Sequence, residues 1–115
     1  MSTLPPKPRP PLPEGPFLVV GLARSGTAVA QALAERWEEG IGCDAGHPAQ
    51  AEGLAGTGVE VNLDVDGVDL VERARCVVKS PGVPNHAPVV EAARTRGRAV
   101  IGELEVAWRM IPNTF

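Results

Sequence analysis

Aromatic side chains are scarce in this chain of 115 residues, which has two tryptophans, two phenylalanines and no tyrosine. The core of a folded domain must then be aliphatic, chiefly valine, leucine and alanine. At this length we expect one domain with a modest core rather than an active-site cleft between two domains.

The sequence also lacks long apolar runs and an excess of positive charge. No run approaches the roughly 18 apolar residues of a membrane-spanning helix, and the N-terminus has no apolar signal segment. Eleven Lys and Arg stand against 14 Asp and Glu, giving a net charge of -3, which argues against a nucleic-acid surface. We therefore expect a cytoplasmic protein that partners neither nucleic acid nor membrane.

Cysteine is limited to Cys43 and Cys76, which fall in separate predicted strands. Neither belongs to a CxxC or Cys/His spacing, so the sequence predicts no metal site. In a cytosolic protein both thiols should stay reduced and act as small core residues.

The stretch Phe17 to Gly26, FLVVGLARSG, indicates a buried strand, a glycine turn and the start of a helix that continues as TAVAQALAER. Gly21 and Gly26 match the first and third glycines of the dinucleotide pattern G-x-G-x-x-G, with Ala23 at the second. Unpaired N–H groups at such a helix start suit an anion. The alternative is a strand-helix corner with small residues for packing.

Further strands alternate with helical segments along the chain. We predict strands at 41–44, 59–63, 75–79 and 99–101, helices at 47–54, 87–96 and 103–110, and a helical or turn segment at 66–73. This alternation predicts an α/β fold, a Rossmann-like open parallel sheet of about five strands in the order 3-2-1-4-5, with helices on both faces. Residues 1–16 hold seven prolines and should form a flexible tail before a domain at 17–115.

Two further stretches suggest a binding site. Asp44 comes 18 positions after Gly26, where a nucleotide-binding βαβ unit places its ribose-binding carboxylate, although it could equally cap the next helix. The loop Ser80-Pro-Gly-Val-Pro84 follows a strand, so it should lie on the same sheet edge as the glycine turn. Open α/β sheets bind their ligands at that edge.

The chain resembles the first domain of the Mur ligases. The resemblance rests on VGLARSG at 20–26, KSPGVP at 79–84, and GELE at 102–105 with Trp108, and it covers about residues 17–115. It implies a Rossmann-like domain that binds the UDP part of the substrate, followed in the family by a central ATPase domain and a C-terminal domain. No G-x-x-x-x-G-K-[ST] occurs in the sequence. We therefore expect both following domains to be absent and this chain alone to be inactive.

The resemblance also implies the site residues. Arg24 and Ser25 would lie beneath the diphosphate, Asp44 and Ala45 would border the uracil or ribose, and Ser80, Pro81 and Gly82 would form a second wall. Gly21 and Gly26 would build the turn. No catalytic residue is expected here, and His86, Glu103 and Glu105 are left out of any catalytic role.

Within the family, the chain is most similar to the members that add D-glutamate to UDP-N-acetylmuramoyl-L-alanine in peptidoglycan precursor synthesis. The implied reaction is an ADP-forming amide ligation that uses ATP and Mg²⁺ in the full-length enzyme, with no cofactor bound to this chain. Its partners would be the UDP-linked substrate and the two missing domains. The alternatives are an NAD-binding regulatory or dehydrogenase domain, which the glycine turn and Asp44 favour and Ala23 opposes, and an interaction module with a recruiting proline-rich tail.

Overall fold

The computed structural model describes residues 11–36 and 38–110, which form one parallel five-stranded sheet. Its strands are β1 (Phe17–Val20), β2 (Gly40–Asp44), β3 (Glu60–Leu63), β4 (Cys76–Lys79) and β5 (Ala99–Gly102). Their order is β3-β2-β1-β4-β5, and all four pairings are parallel. The predicted fold class and strand order are confirmed, and each predicted strand boundary lies within one residue of the observed one.

Helical elements cover both faces of the sheet. They are α1 (Arg24–Glu35), α2 (Pro88–Thr95), α3 (Glu103–Met110) and two 3₁₀ segments, Ala49–Leu54 and Val68–Arg73. Along β1 the side chains alternate, so Phe17 and Val19 pack with α1 and α3 while Leu18 and Val20 pack with α2. The central strand is therefore buried on both sides, as its continuous apolar run predicts.

Local geometry departs from the sequence-based expectation in two places. α1 begins at Arg24, so Gly26 lies in the first helical turn instead of ending the glycine turn that precedes the helix. The short helix predicted after β2 is a 3₁₀ segment, with tight hydrogen bonds such as Ala51 N–H to Pro48 O at 3.1 Å, and the helical or turn segment predicted after β3 is also 3₁₀. Six residues leave room for few i to i−4 bonds, so the tighter turn is adopted.

The predicted proline-rich tail lies partly outside the described residues, since 1–10 are not among them. Its last part contacts the domain: Leu12 packs against the α1 and α3 side of the core, and Arg109 donates to Pro11 O at 3.1 Å. The boundary at residue 17 stays a prediction. None of the helices within 11–36 and 38–110 is long and apolar enough to cross a bilayer.

Candidate functional site

The turn after β1 lies directly against the loop after β4. Gly21 has a φ of +97°, a left-handed conformation that favours glycine, and its N–H donates to Cys43 O at 2.9 Å. A Cβ added at Gly21 would lie 2.8 Å from Ser80 Cβ. The two predicted walls of the site therefore touch at their base.

Gly26 lets α1 start close to this turn. A Cβ at this position would lie 1.8 Å from Gly21 O and 3.7 Å from Glu103 Oε2. No side chain fits without moving the backbone, which is the packing role of the third glycine in the dinucleotide pattern. The predicted structural pair Gly21 and Gly26 is thus in direct contact.

Asp44 ties the loops after β1 and β2 together. Its carboxylate accepts hydrogen bonds from Leu22 N–H and Gly46 N–H, each at 2.8 Å. The 3₁₀ segment that follows begins after Pro48 and has no side-chain cap, so Asp44 does not cap the next helix. Its predicted place beside a uracil or ribose stays a prediction.

The loop after β4 is held from below by Lys79. Its Nζ donates to Val83 O at 2.6 Å and to Ser80 O at 3.3 Å, while Ser80 N–H donates to Val20 O at 3.1 Å. Within the loop, Gly82 N–H reaches Ser80 Oγ at 3.4 Å. Lys79 thus stabilises the loop through its hydrogen bonds to two loop carbonyls, a role that the sequence did not predict.

A cleft of about 400 Å³ opens at the carboxyl ends of the strands. Its lining is mostly apolar and includes three polar side chains, those of Asp44, Asp66 and Ser80. The lining residues are Val20, Gly21, Ala23, Cys43, Asp44, Ala45, Val65, Asp66, Ser80, Gly82, Val83, Pro84, Ala87, Pro88 and Val89.

The cleft brings together only part of the predicted site. Asp44, Ala45, Ser80 and Gly82 line it together with Gly21, whereas the exposed residues Arg24, Ser25 and Pro81 are not among its lining residues.

The sequence reasoning missed two other parts of the wall, Val65 with Asp66 and the start of α2 at 87–89. A signal for the first existed, because Val65 and Asp66 follow β3 and must reach the same sheet edge as the residues after β1, β2 and β4.

Burial and negative charge make the Cys43 thiol at the cleft floor unreactive. Burial, followed by the nearby carboxylates of Asp44 and Asp66, raises its pKa to about 12. Burial likewise raises the pKa of the Cys76 thiol to about 11. Neither thiol is a nucleophile at neutral pH, because only the thiolate reacts readily.

His86 and Glu103 lie outside the cleft, and their surroundings indicate no catalytic role. His86 is exposed, and Glu103 is 2% exposed at the start of α3, where the helix dipole favours a carboxylate. Glu103 Oε2 has no hydrogen-bond partner within the described part of the chain. The same part contains no group of three His, Cys, Asp or Glu side chains placed to hold a metal ion.

Comparison with known proteins gives a consistent set of relatives, although no protein-family profile matches the chain. The chain is 42% identical over 99 residues to the UDP-N-acetylmuramoylalanine–D-glutamate ligase of Geobacter metallireducens, covering 83% of the chain and 22% of that ligase. For the ligase of the same name from Frankia casuarinae, the identity is 43% over 98 residues, covering 82% of the chain and 21% of that protein. The chain spans about a fifth of the length of these relatives.

Solved structures share the fold. The UDP-N-acetylmuramate–alanine ligase of Thermotoga maritima matches 79% of the chain and 21% of that protein with a TM-score of 0.70 at 18% identity. A pseudomurein peptide ligase type C from Methanothermus fervidus matches 78% of the chain and 19% of that protein with a TM-score of 0.66 at 16% identity. At these identities the likeness concerns the fold alone.

Proposed function

The chain belongs to the Mur ligase family, and we propose that it is the UDP-binding first domain of the ligase that adds D-glutamate to UDP-N-acetylmuramoyl-L-alanine in peptidoglycan precursor synthesis. The observation that carries this proposal is the cleft at the carboxyl ends of β1 and β4. The strand order reverses between these two strands, and open α/β sheets bind ligands at such a point. The identity with D-glutamate ligases supports the choice of substrate.

In this proposal the chain holds the nucleotide end of the substrate. The Ser80 hydroxyl, whose oxygen accepts the Gly82 N–H at 3.4 Å, would donate its own proton to a phosphate oxygen. The N–H groups of Arg24 and Ser25 at the start of α1 would favour negative charge nearby. The proposal assigns no catalytic role to any side chain of this domain. Its contribution is to bind and orient the substrate.

The remaining steps belong to the rest of the longer enzyme. ATP, with Mg²⁺, would phosphorylate the substrate carboxylate and leave ADP, and the D-glutamate amine would then displace inorganic phosphate from the phosphorylated carboxyl group and form the amide. Since the sequence lacks a lysine-bearing phosphate loop, we propose that this chain alone is inactive and depends on central and C-terminal domains. We also propose a cytoplasmic location.

The NAD-binding alternative receives no support from the relatives described above, which are ligases. The methyl group of Ala23 also lines the cleft, where a second glycine would let a pyrophosphate approach the backbone.

Titration of UDP into the isotopically labelled chain tests the proposal, with Gly82→Val as the blocking variant. A Cβ at Gly82 meets no heavy atom within 4 Å, so valine should be tolerated by the fold while it narrows the cleft. We expect amide shifts at the carboxyl edge of the sheet and a UDP affinity about tenfold weaker in the variant, a loss of about 1.4 kcal/mol.

Gly102→Val is the matched control, because Gly102 also has open space around it and lies outside the cleft. Its UDP affinity should equal that of the unmodified chain. Shifts confined to the amino edge, or equal affinities for the two variants, would contradict the proposed site.

A further inference from the structure

The three polar side chains of the cleft differ in how many of their oxygen atoms already accept hydrogen bonds from the protein. Both carboxylate oxygens of Asp44 accept backbone N–H groups, and Ser80 Oγ accepts the Gly82 N–H. Asp66 accepts the Val68 N–H through Oδ1 at 3.0 Å. Its Oδ2 accepts no hydrogen bond from the described residues, so Asp66 retains a carboxylate oxygen for a ligand.

The segment that carries Asp66 is fixed beside the loop after β2. Asp64 N–H donates to Gly46 O at 3.3 Å and Val65 N–H donates to Asp44 O at 3.2 Å. Asp64 has a φ of +58°, a conformation that aspartate tolerates better than most residues. The left-handed residue turns the chain so that Val65 and the residue after it join the cleft wall.

The charge of this wall determines which part of a nucleotide it can contact. No Lys, Arg or His is among the described residues that line the cleft, and its acidic side chains are Asp44 and Asp66. A diphosphate beside these two carboxylates would be repelled. A neutral heterocycle would instead find apolar surface on Val65, Val83 and Pro84 and a hydrogen-bond acceptor at its edge.

We propose that Asp66 determines base specificity by accepting a hydrogen bond from the imide N–H of a pyrimidine base, with the base lying on the Val65 side of the cleft and the diphosphate on the Ser80 side. This inference rests on the proposed function, because it assumes that a uridine nucleotide is the ligand. Uracil donates from N3, whereas an analogue methylated at N3 cannot.

The test compares Asp66→Asn with Asp69→Asn. The asparagine at 66 keeps a carbonyl oxygen for the Val68 N–H but can present an amide donor to the ligand. Asp69 lies in the following 3₁₀ segment, is exposed and does not line the cleft, so its variant makes the same change in net charge. We expect the Kd for UDP to rise about tenfold in Asp66→Asn, as for loss of a hydrogen bond to a charged group, and to change less than twofold in Asp69→Asn.

A second ligand, 3-methyluridine 5′-diphosphate, distinguishes this hydrogen bond from a general weakening of the cleft. The unmodified chain should bind it about tenfold more weakly than UDP, and Asp66→Asn should bind the two ligands alike. Equal UDP affinities for the two variants, or an equal loss for both ligands in Asp66→Asn, would overturn the role of Asp66 alone. Failure of the unmodified chain to bind UDP would overturn this inference and the proposed function together.

Discussion

The two edges of the sheet are held together by different kinds of contact. At the carboxyl edge, loops meet through backbone atoms, the half-buried Asp44 carboxylate and glycines with no room for a side chain. At the amino edge, exposed ion pairs join segments that are distant in sequence: Arg73 pairs with Glu60 at 2.7 Å and Arg75 pairs with Glu14 at 2.6 Å. Substitutions should therefore cost far more at the carboxyl edge, because close contacts there cannot relax while exposed ion pairs are replaced by water.

Gly26→Ala should break the carboxyl edge most severely. The added methyl would lie 1.8 Å from Gly21 O, so either the turn or α1 must move. We expect a loss of about 3 kcal/mol or more in the free energy of unfolding, measured by urea denaturation.

Gly53→Ala is the control for this variant, since its methyl would meet only Gln31 Nε2 at 3.8 Å. It should leave the urea midpoint nearly unchanged. Similar midpoints for both alanine variants would show that the contact between α1 and the turn does not limit the stability of this edge.

Replacement of Asp44 should have the next largest effect. Asp44→Ala removes the acceptor of two hydrogen bonds, from Leu22 N–H and Gly46 N–H, and leaves both donors to find water. We expect a loss of about 2 kcal/mol in the free energy of unfolding. Asp44→Asn keeps one acceptor oxygen and should lose about half as much; a loss equal to that of alanine would mean that the charge, rather than the two bonds, stabilises the loops.

Loss of the ion pair between Glu60 and Arg73 at the amino edge should lower the free energy of unfolding only slightly, by an amount that depends on pH. Hydrogen bonds from Arg73 and then from Asn62 lower the pKa of Glu60 from 4.5 to about 2. Since the folded pKa is depressed, this ion pair stabilises the protein fully above about pH 4.5 and loses that contribution as the pH falls toward 2.

With Glu60 44% exposed, solvent screening should limit the contribution to about 0.5 kcal/mol. Urea titrations of the unmodified chain and Glu60→Gln should therefore differ by that amount at pH 6 and converge near pH 2. A difference that stays constant with pH would show that the charge of Glu60 is not its source.

Much of the fold was predictable because its signals are local. Each strand is a short run between turn-forming residues, and every strand except β3 contains at least one buried residue. The strand order follows from parallel pairing with right-handed crossovers. The start of α1 was misjudged because Ser25 and Gly26 have low helix propensity, and the contact of Gly26 with Gly21 O is visible only in three dimensions.

The alternation of strands and helices, the glycine turn at Gly21 and the sheet edge expected to bind a ligand could all be derived from the sequence. The neighbours of each residue at that edge are visible only in the folded chain: Asp44 accepts a hydrogen bond from Leu22 N–H, and Val65 and Asp66 line the cleft together with Ser80 and Gly82. The periodicity of side chains is a local property of a few consecutive residues. The contacts between the loops depend instead on the register between β1, β2, β3 and β4, which joins residues distant in sequence.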